Sequence, residues 1–200
     1  CSVTVDDNYL YCLSYSRYSN PNVLDANALP TFNLYSSVDK QLISNLKNPP
    51  LVFVAAALSP LQNNIYVYHR EPFRYPLKRM DSDNSERFND EEIKRGVMLY
   101  NCDLDTWFPV PSTLKLLKYS CMTVCKNILY LIGGQNSYKS IPEKYSQVYD
   151  FRVGMWQELP KSNYTHAAAD CSTLDGKVYM YVVAMKNLPN VMIQLLENGN

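Results

Sequence analysis

The chain has 200 residues, enough to bury roughly 70% of the surface an unfolded chain of that length exposes, so one or two domains with a full core are expected. Lysine plus arginine and aspartate plus glutamate number 19 each, a zero balance that argues against nucleic-acid binding, which needs a clustered basic excess. The longest apolar run, Leu51 to Leu58, falls far short of the roughly 20 residues that cross a bilayer, so no membrane partner is expected.

The chain opens on Cys1 inside a strand-type run, with neither an initiator methionine nor a signal-peptide pattern, and reads as a piece of a longer protein. None of the six cysteines (Cys1, Cys12, Cys102, Cys121, Cys125, Cys171) forms a C-x-x-C pair, so buried reduced thiols in a reducing cytoplasmic or nuclear compartment are expected. Asn163-Tyr164-Thr165 fits the glycosylation acceptor pattern and, without a secretory signal, is read as coincidental. Tyrosine is abundant at 17, and the apolar runs are rich in Val, Ile, Leu and Tyr, which favours strands.

Along the chain, four segments share the pattern apolar-Tyr-apolar-apolar: "LYCL" (10–13), "IYVY" (65–68), "LYLI" (129–132) and "VYMY" (178–181). The first three are followed by a second matched element. "YNCDLDTW" (100–107) and "YDFRVGMW" (149–156) each set a tyrosine seven positions before a tryptophan, while "YSSVDKQL" (35–42) keeps Tyr35 but has Leu42 in the tryptophan's place. Proline-bearing exits follow, "ISNLKNPP", "FPVPST" and "QELPKS", each leading into a small or apolar run. Each unit reads strand, tight turn, strand, loop, strand, hairpin, strand, with Leu104-Asp105 and Val153-Gly154 at the hairpin turns. The units span approximately 1–50, 51–111, 112–160 and 161–200, and a four-stranded unit recurring at about 50 residues predicts a β-propeller blade. The fold class expected is therefore all-β, with three to four four-stranded blades in this chain as part of a larger propeller.

Gly133-Gly134, followed by Tyr149 and Trp156, then "LP" and "HAAADCSTLDGKVYMY", resembles a kelch repeat. The resemblance covers nearly the whole chain and is strongest over 96–183. Elsewhere the diglycine position holds Ser14-Tyr15, His69-Arg70 and Val182-Val183. It implies a kelch-type β-propeller in which Gly133 and Gly134 close the second strand at a crowded place, and Tyr100, Trp107, Tyr149 and Trp156 pack between blades as architecture. The degenerate repeats look most like the propellers of BTB-kelch proteins. That likeness implies a protein substrate or peptide degron as partner, with a cullin bound only through BTB and BACK modules outside this chain. Residues 1–8 or 191–200 are expected to pair with each other or with further blades.

Residues 69–96 form a long insertion between the second and third strands of the second unit, and a loop of that length is usually functional or disordered. Its first half carries Arg70, Phe73, Arg74 and Tyr75, residue types that dominate interface hot spots; its second half reads as a solvated stretch. In the kelch arrangement this insertion shares a face with 135–144 and with the connections around 47–50, 111–118 and 160–165. Tyr138, Lys139, Tyr164 and His166 are expected to project from that face toward a partner. His69 and His166 are too few for a metal site, and no nucleophile–base pair, P-loop or paired-carboxylate pattern is present, so no cofactor and no catalysis are expected. A cytoskeletal, actin-associated or scaffolding kelch protein is the alternative, with a propeller enzyme behind it.

Overall fold

The computed structural model describes residues 2–6, 8–14, 31–49, 56–69, 96–135, 141–163, 165–182 and 191–196. Those residues build four antiparallel sheets, and no helix occurs among them. The first sheet contains β1 (Ser2–Asp6), β2 (Tyr9–Ser14), β3 (Thr31–Ser36) and β4 (Leu42–Asn45). The second contains β5 (Ala56–Leu61), β6 (Asn64–His69), β7 (Val97–Asn101) and β8 (Thr106–Pro109). The third contains β9 (Cys121–Cys125), β10 (Ile128–Ile132), β11 (Ser146–Asp150) and β12 (Met155–Glu158). The fourth contains β13 (Asp170–Leu174), β14 (Lys177–Val182) and β15 (Val191–Leu196). Every sheet is a simple meander, its strands hydrogen-bonded in chain order. The first strands β1, β5, β9 and β13 lie next to one another in turn, so the sheets follow each other side by side.

Local chemistry explains the turns. β9 and β10 join through Lys126 and Asn127, whose φ values of 49° and 60° make the two-residue turn that suits twisted antiparallel strands. Asp175 and Gly176 do the same between β13 and β14. The hairpins after β7 and β11 use four-residue loops, each ending on a left-handed residue, Asp105 (φ 45°) and Gly154 (φ 72°). With four loop residues, positions seven apart face each other across the ladder. Tyr100 is thus directly opposite Trp107, and Tyr149 opposite Trp156, with ring centroids 5.1 and 5.4 Å apart. The Tyr-x6-Trp spacing is a cross-strand aromatic pair.

The apolar residues do not form one central core. They form three clusters, each lying between consecutive sheets. Strand alternation sorts them: Ile65 and Val67 of β6 pack with Tyr11, Leu13 and Phe32 of the first sheet, while Tyr66 and Tyr68 pack with the third. β10 repeats this, with Leu129 and Leu131 facing back and Tyr130 and Ile132 facing forward. Tyr11, Tyr66 and Tyr130 therefore each face the following sheet. Phe32 completes the first junction, 4.7 Å from Tyr100 edge-on and 5.3 Å from Trp107. Phe151 acts similarly at the second, 4.9 Å from Tyr66.

Each tryptophan also fastens its sheet to the preceding one. The Trp107 indole N–H donates to the Lys47 carbonyl at 2.7 Å, and that of Trp156 to the Pro111 carbonyl at 2.7 Å. Both acceptors lie two residues past the end of the preceding sheet's outer strand. Tyr100 and Trp107 are buried, as is Trp156, while Tyr149 is half-buried. Among the described residues the terminal strands do not pair with each other, β1 pairing with β2 and β15 with β14, which leaves pairing with further blades as the expectation.

Replacing Trp156 by alanine removes both the buried ring and the tie to Pro111, and is expected to cost about 3–5 kcal/mol in urea unfolding. Trp156→Phe keeps most of the burial but strands the Pro111 carbonyl, and is expected to cost about 1–3 kcal/mol. Equal losses for the two variants would show that the hydrogen bond, and not ring packing, carries the contribution.

Candidate partner-binding face

The connections that follow β6, β8, β10 and β12 all leave the same end of their meanders. Four of their segments lace into one layer through main-chain hydrogen bonds. Lys118 and Gln135 exchange N–H···O bonds at 2.8 and 2.7 Å, and Gln135 also bridges to Pro142. The Glu143 N–H donates to the Gly134 carbonyl, and the His166 N–H donates to the Glu143 carbonyl. Ala168 and Tyr119, both left-handed at 57° and 60°, are tied by a 3.0 Å bond from the Ala168 N–H to the Tyr119 carbonyl, which holds two costly backbone conformations in place.

Buried side chains hold the layer onto the sheets. The Tyr68 hydroxyl donates to the Leu117 carbonyl at 2.7 Å and accepts from the Leu117 N–H at 3.0 Å. Burial raises the pKa of this phenol, so it stays protonated and able to donate. Gln147, on an inward position of β11, accepts from the Leu114 N–H at 2.8 Å and donates to the Lys115 carbonyl at 2.6 Å. Sequence reasoning missed Gln147; a polar residue at a core-facing register position in "SQVYD" is the signal that would have revealed it. Lys115 forms an ion pair with Glu143 and lies 5.1 Å over the Tyr145 ring.

The diglycine sits at the centre of this layer. Gly133 has φ 63°, and a Cβ there would stand 2.7 Å from the His166 carbonyl oxygen. Gly134 has φ 114°, donates to that same carbonyl at 2.6 Å, and would meet the Ser120 hydroxyl and Leu117 if it carried a side chain. Both positions require glycine on conformation and on space. The two glycines let the chain carrying His166 sink against the sheet.

That explains a correction. His166, expected to project toward a partner, is buried at 3% exposure, and its Nε2 has no hydrogen-bond partner. Its role here is to fill the space above the diglycine. Arg70, Phe73, Arg74, Tyr75, Tyr138, Lys139 and Tyr164 lie outside the described residues. The insertion that carries the first four rejoins the second sheet at Gly96, packed close under Thr113 and Leu116, so its return is beside the layer. The connection at 46–49 is tied to the second sheet, the Lys47 N–H donating to Asp105 in the β7–β8 hairpin.

The solvent side of the layer has a definite character. Leu114, Tyr119 and Ile141 are exposed large apolar residues, at 56%, 44% and 58%. Its described segments 110–120, 133–135, 141–145 and 159–168 contain the lysines Lys115, Lys118, Lys144 and Lys161, against the single acid Glu143. At the opposite end of the meanders the described hairpin turns carry Asp39, Asp103, Asp105 and Asp175 beside Lys40, Lys126 and Arg152. The described segments of the layer therefore carry a cationic excess. A concavity of about 480 Å³ opens among the β5–β6, β9–β10 and β13–β14 turns, lined by apolar Pro60, Leu61 and Val124 as well as polar Gln62, Asn63, Lys126 and Thr173. No cluster of three or more metal-ligating side chains exists among the described residues.

No family model matches the chain, and no curated protein matches it. Solved structures do. One of them, described as "Structure of YjhT", has a TM-score of 0.63 over 90% of this chain at 11% identity. The chain spans 57% of the length of that protein. At this identity the likeness concerns the fold alone.

Burial lowers the pKa of His166 below its ordinary value of 6.5, because a charged imidazole would be cut off from water with its Nε2 unpartnered. The folded state therefore binds this proton more weakly than the unfolded one. Stability contributed by neutral His166 is complete above about pH 6.5 and falls as the pH drops from there toward the folded-state pKa. Thermal unfolding between pH 7.5 and 5 should show this decline, and His166→Leu should flatten it. An unchanged slope in the variant would assign the pH dependence to other groups.

Proposed function

We propose that this chain is part of a kelch-type β-propeller that binds protein without catalysis, serving as the substrate-recognition part of a BTB-kelch adaptor for a cullin-RING ubiquitin ligase. The observation that carries the reading is the layer of connections: it is braced by backbone bonds, and it presents Leu114, Tyr119 and Ile141 among four lysines with one acid. A surface of this kind complements an acidic protein segment with apolar anchors, since charge steers the encounter and buried apolar contacts hold the complex. The blade reading is supported by serial meanders whose first strands lie side by side, with an aromatic junction at each step. The kelch reading rests on Gly133-Gly134, Tyr149 and Trp156, which close the second strand and form the cross-strand pair.

In this reading Arg70, Phe73, Arg74 and Tyr75 extend the face, because their loop rejoins the sheet beside it at Gly96. Tyr138, Lys139 and Tyr164 belong to segments that enter and leave the same layer. BTB and BACK modules would hold the cullin, placing the work in the cytoplasm or nucleus. The segment captured is the degron of the protein to be modified.

The test is quantitative affinity purification from cell extract, comparing the wild type with two variants. Lys118→Glu with Lys144→Glu reverses the charge of the layer, and Arg74→Ala with Tyr75→Ala truncates the insertion. Each pair is expected to lower partner recovery at least tenfold, with thermal stability nearly unchanged. Recovery from the charge-reversed variant should not be restored by lowering salt, whereas the wild type should bind more tightly at low salt. An identical partner set for the wild type and both variants would place binding elsewhere.

A further inference from the structure

β9 and β13, the first strands of the third and fourth sheets, lie against each other and meet through side chains. The Thr123 and Thr173 hydroxyls are 3.2 Å apart, and Thr173 also donates to the Val124 carbonyl at 2.9 Å. Both strands open their meanders and run in the same direction. Two residues back along each, on the same face, stand Cys121 and Cys171. Both thiols belong to the apolar cluster between these sheets, Cys121 buried and Cys171 half-exposed. The Cys121 Sγ donates to the Ile132 carbonyl at 3.8 Å, and the neighbouring Cys121 thiol first, with burial second, raises the pKa of Cys171. The same offset from Cys125 falls on Asp175, so the register creates one thiol pair and no second.

We infer that Cys121 and Cys171 form a redox-responsive pair that closes into a disulfide joining the third sheet to the fourth. The oxidant is a small-molecule disulfide. Cys171, the more accessible of the two, loses its proton to solvent and attacks one sulfur of the oxidant, releasing a thiolate and leaving a mixed disulfide. Cys121 then loses its proton and attacks the Cys171 sulfur, releasing the second thiolate. Two protein thiols are oxidised to one disulfide, and one small disulfide is reduced to two thiols. The raised pKa keeps the thiolate fraction low, so the first step is slow. The juxtaposition makes the second step fast, and mixed disulfide does not accumulate. The bond would span a 50-residue stretch and add a covalent tie to the junction that already holds the two threonine contacts and one apolar cluster.

The full chain is incubated with oxidised glutathione, quenched with acid, and analysed by intact mass and non-reducing peptide mapping. The expected product is lighter by two hydrogens, with a Cys121–Cys171 cross-link, no retained glutathione at these positions, and reversal by dithiothreitol. Its melting temperature is expected to rise by roughly 5–15 °C, the range for a staple across a long loop in a chain of this size. Cys171→Ser should show neither the mass loss nor the rise. Stable glutathione adducts at Cys171 without closure, or a cross-link from Cys121 to Cys125, would overturn the inference. If Cys171→Ser does not fold, the wild-type peptide map alone decides between these outcomes.

Discussion

A hydrogen bond from a tryptophan indole to a carbonyl of the preceding connection is what the first two junctions between sheets depend on. Trp107 reaches back to Lys47, and Trp156 reaches back to Pro111, both over 2.7 Å. In each case the ring fills part of the apolar space between two sheets while its polar edge receives the chain leaving the earlier sheet. Removing the ring leaves a cavity, and removing only the N–H leaves a partly buried carbonyl unpaired. Position and orientation of one sheet relative to the next are thereby set by the same side chain.

Because each apolar cluster lies between neighbours, stability in this chain is a sum of junctions and not the property of one core. The junctions are built alike but filled differently. Phe32 supplies aromatic bulk at the first, Phe151 at the second, and thiols with Val178 and Met180 at the third. The third has the least aromatic content. The forward-facing tyrosine also marks where the series stops being covered. Tyr11, Tyr66 and Tyr130 are buried, whereas Tyr179 in the fourth sheet is half-buried beside exposed Tyr181 and Leu174. In the proposed propeller that side is where a following blade packs.

The strands and their pairing were legible because hairpin geometry turns sequence spacing into spatial opposition. The tyrosine–tryptophan interval survives as a directly opposed pair, and each apolar-Tyr segment became a second strand, β2, β6, β10 and β14. Residues whose role depends on a distant backbone were not legible. Gln147 looks like a surface residue until it is seen satisfying the N–H of Leu114 and the carbonyl of Lys115, more than thirty positions away. His166 was misplaced for a related reason: a histidine after a loop reads as exposed unless the two glycines that open space beneath it are known to lie there. The loop face was legible as a set of segments, through the connections that share one end of the meanders. Its cationic and apolar character emerges only when those segments are brought together.

The acceptors of both tryptophan bonds are main-chain carbonyls, of a lysine in one case and a proline in the other. The side chains at those positions take no part in the bond. Substitutions along the connections can therefore accumulate without loosening the joints between sheets, provided the backbone path is kept. The face these connections present can drift to new chemistry while the scaffold beneath it stays the same, so that relatives of this chain could share its joints and differ in everything they bind.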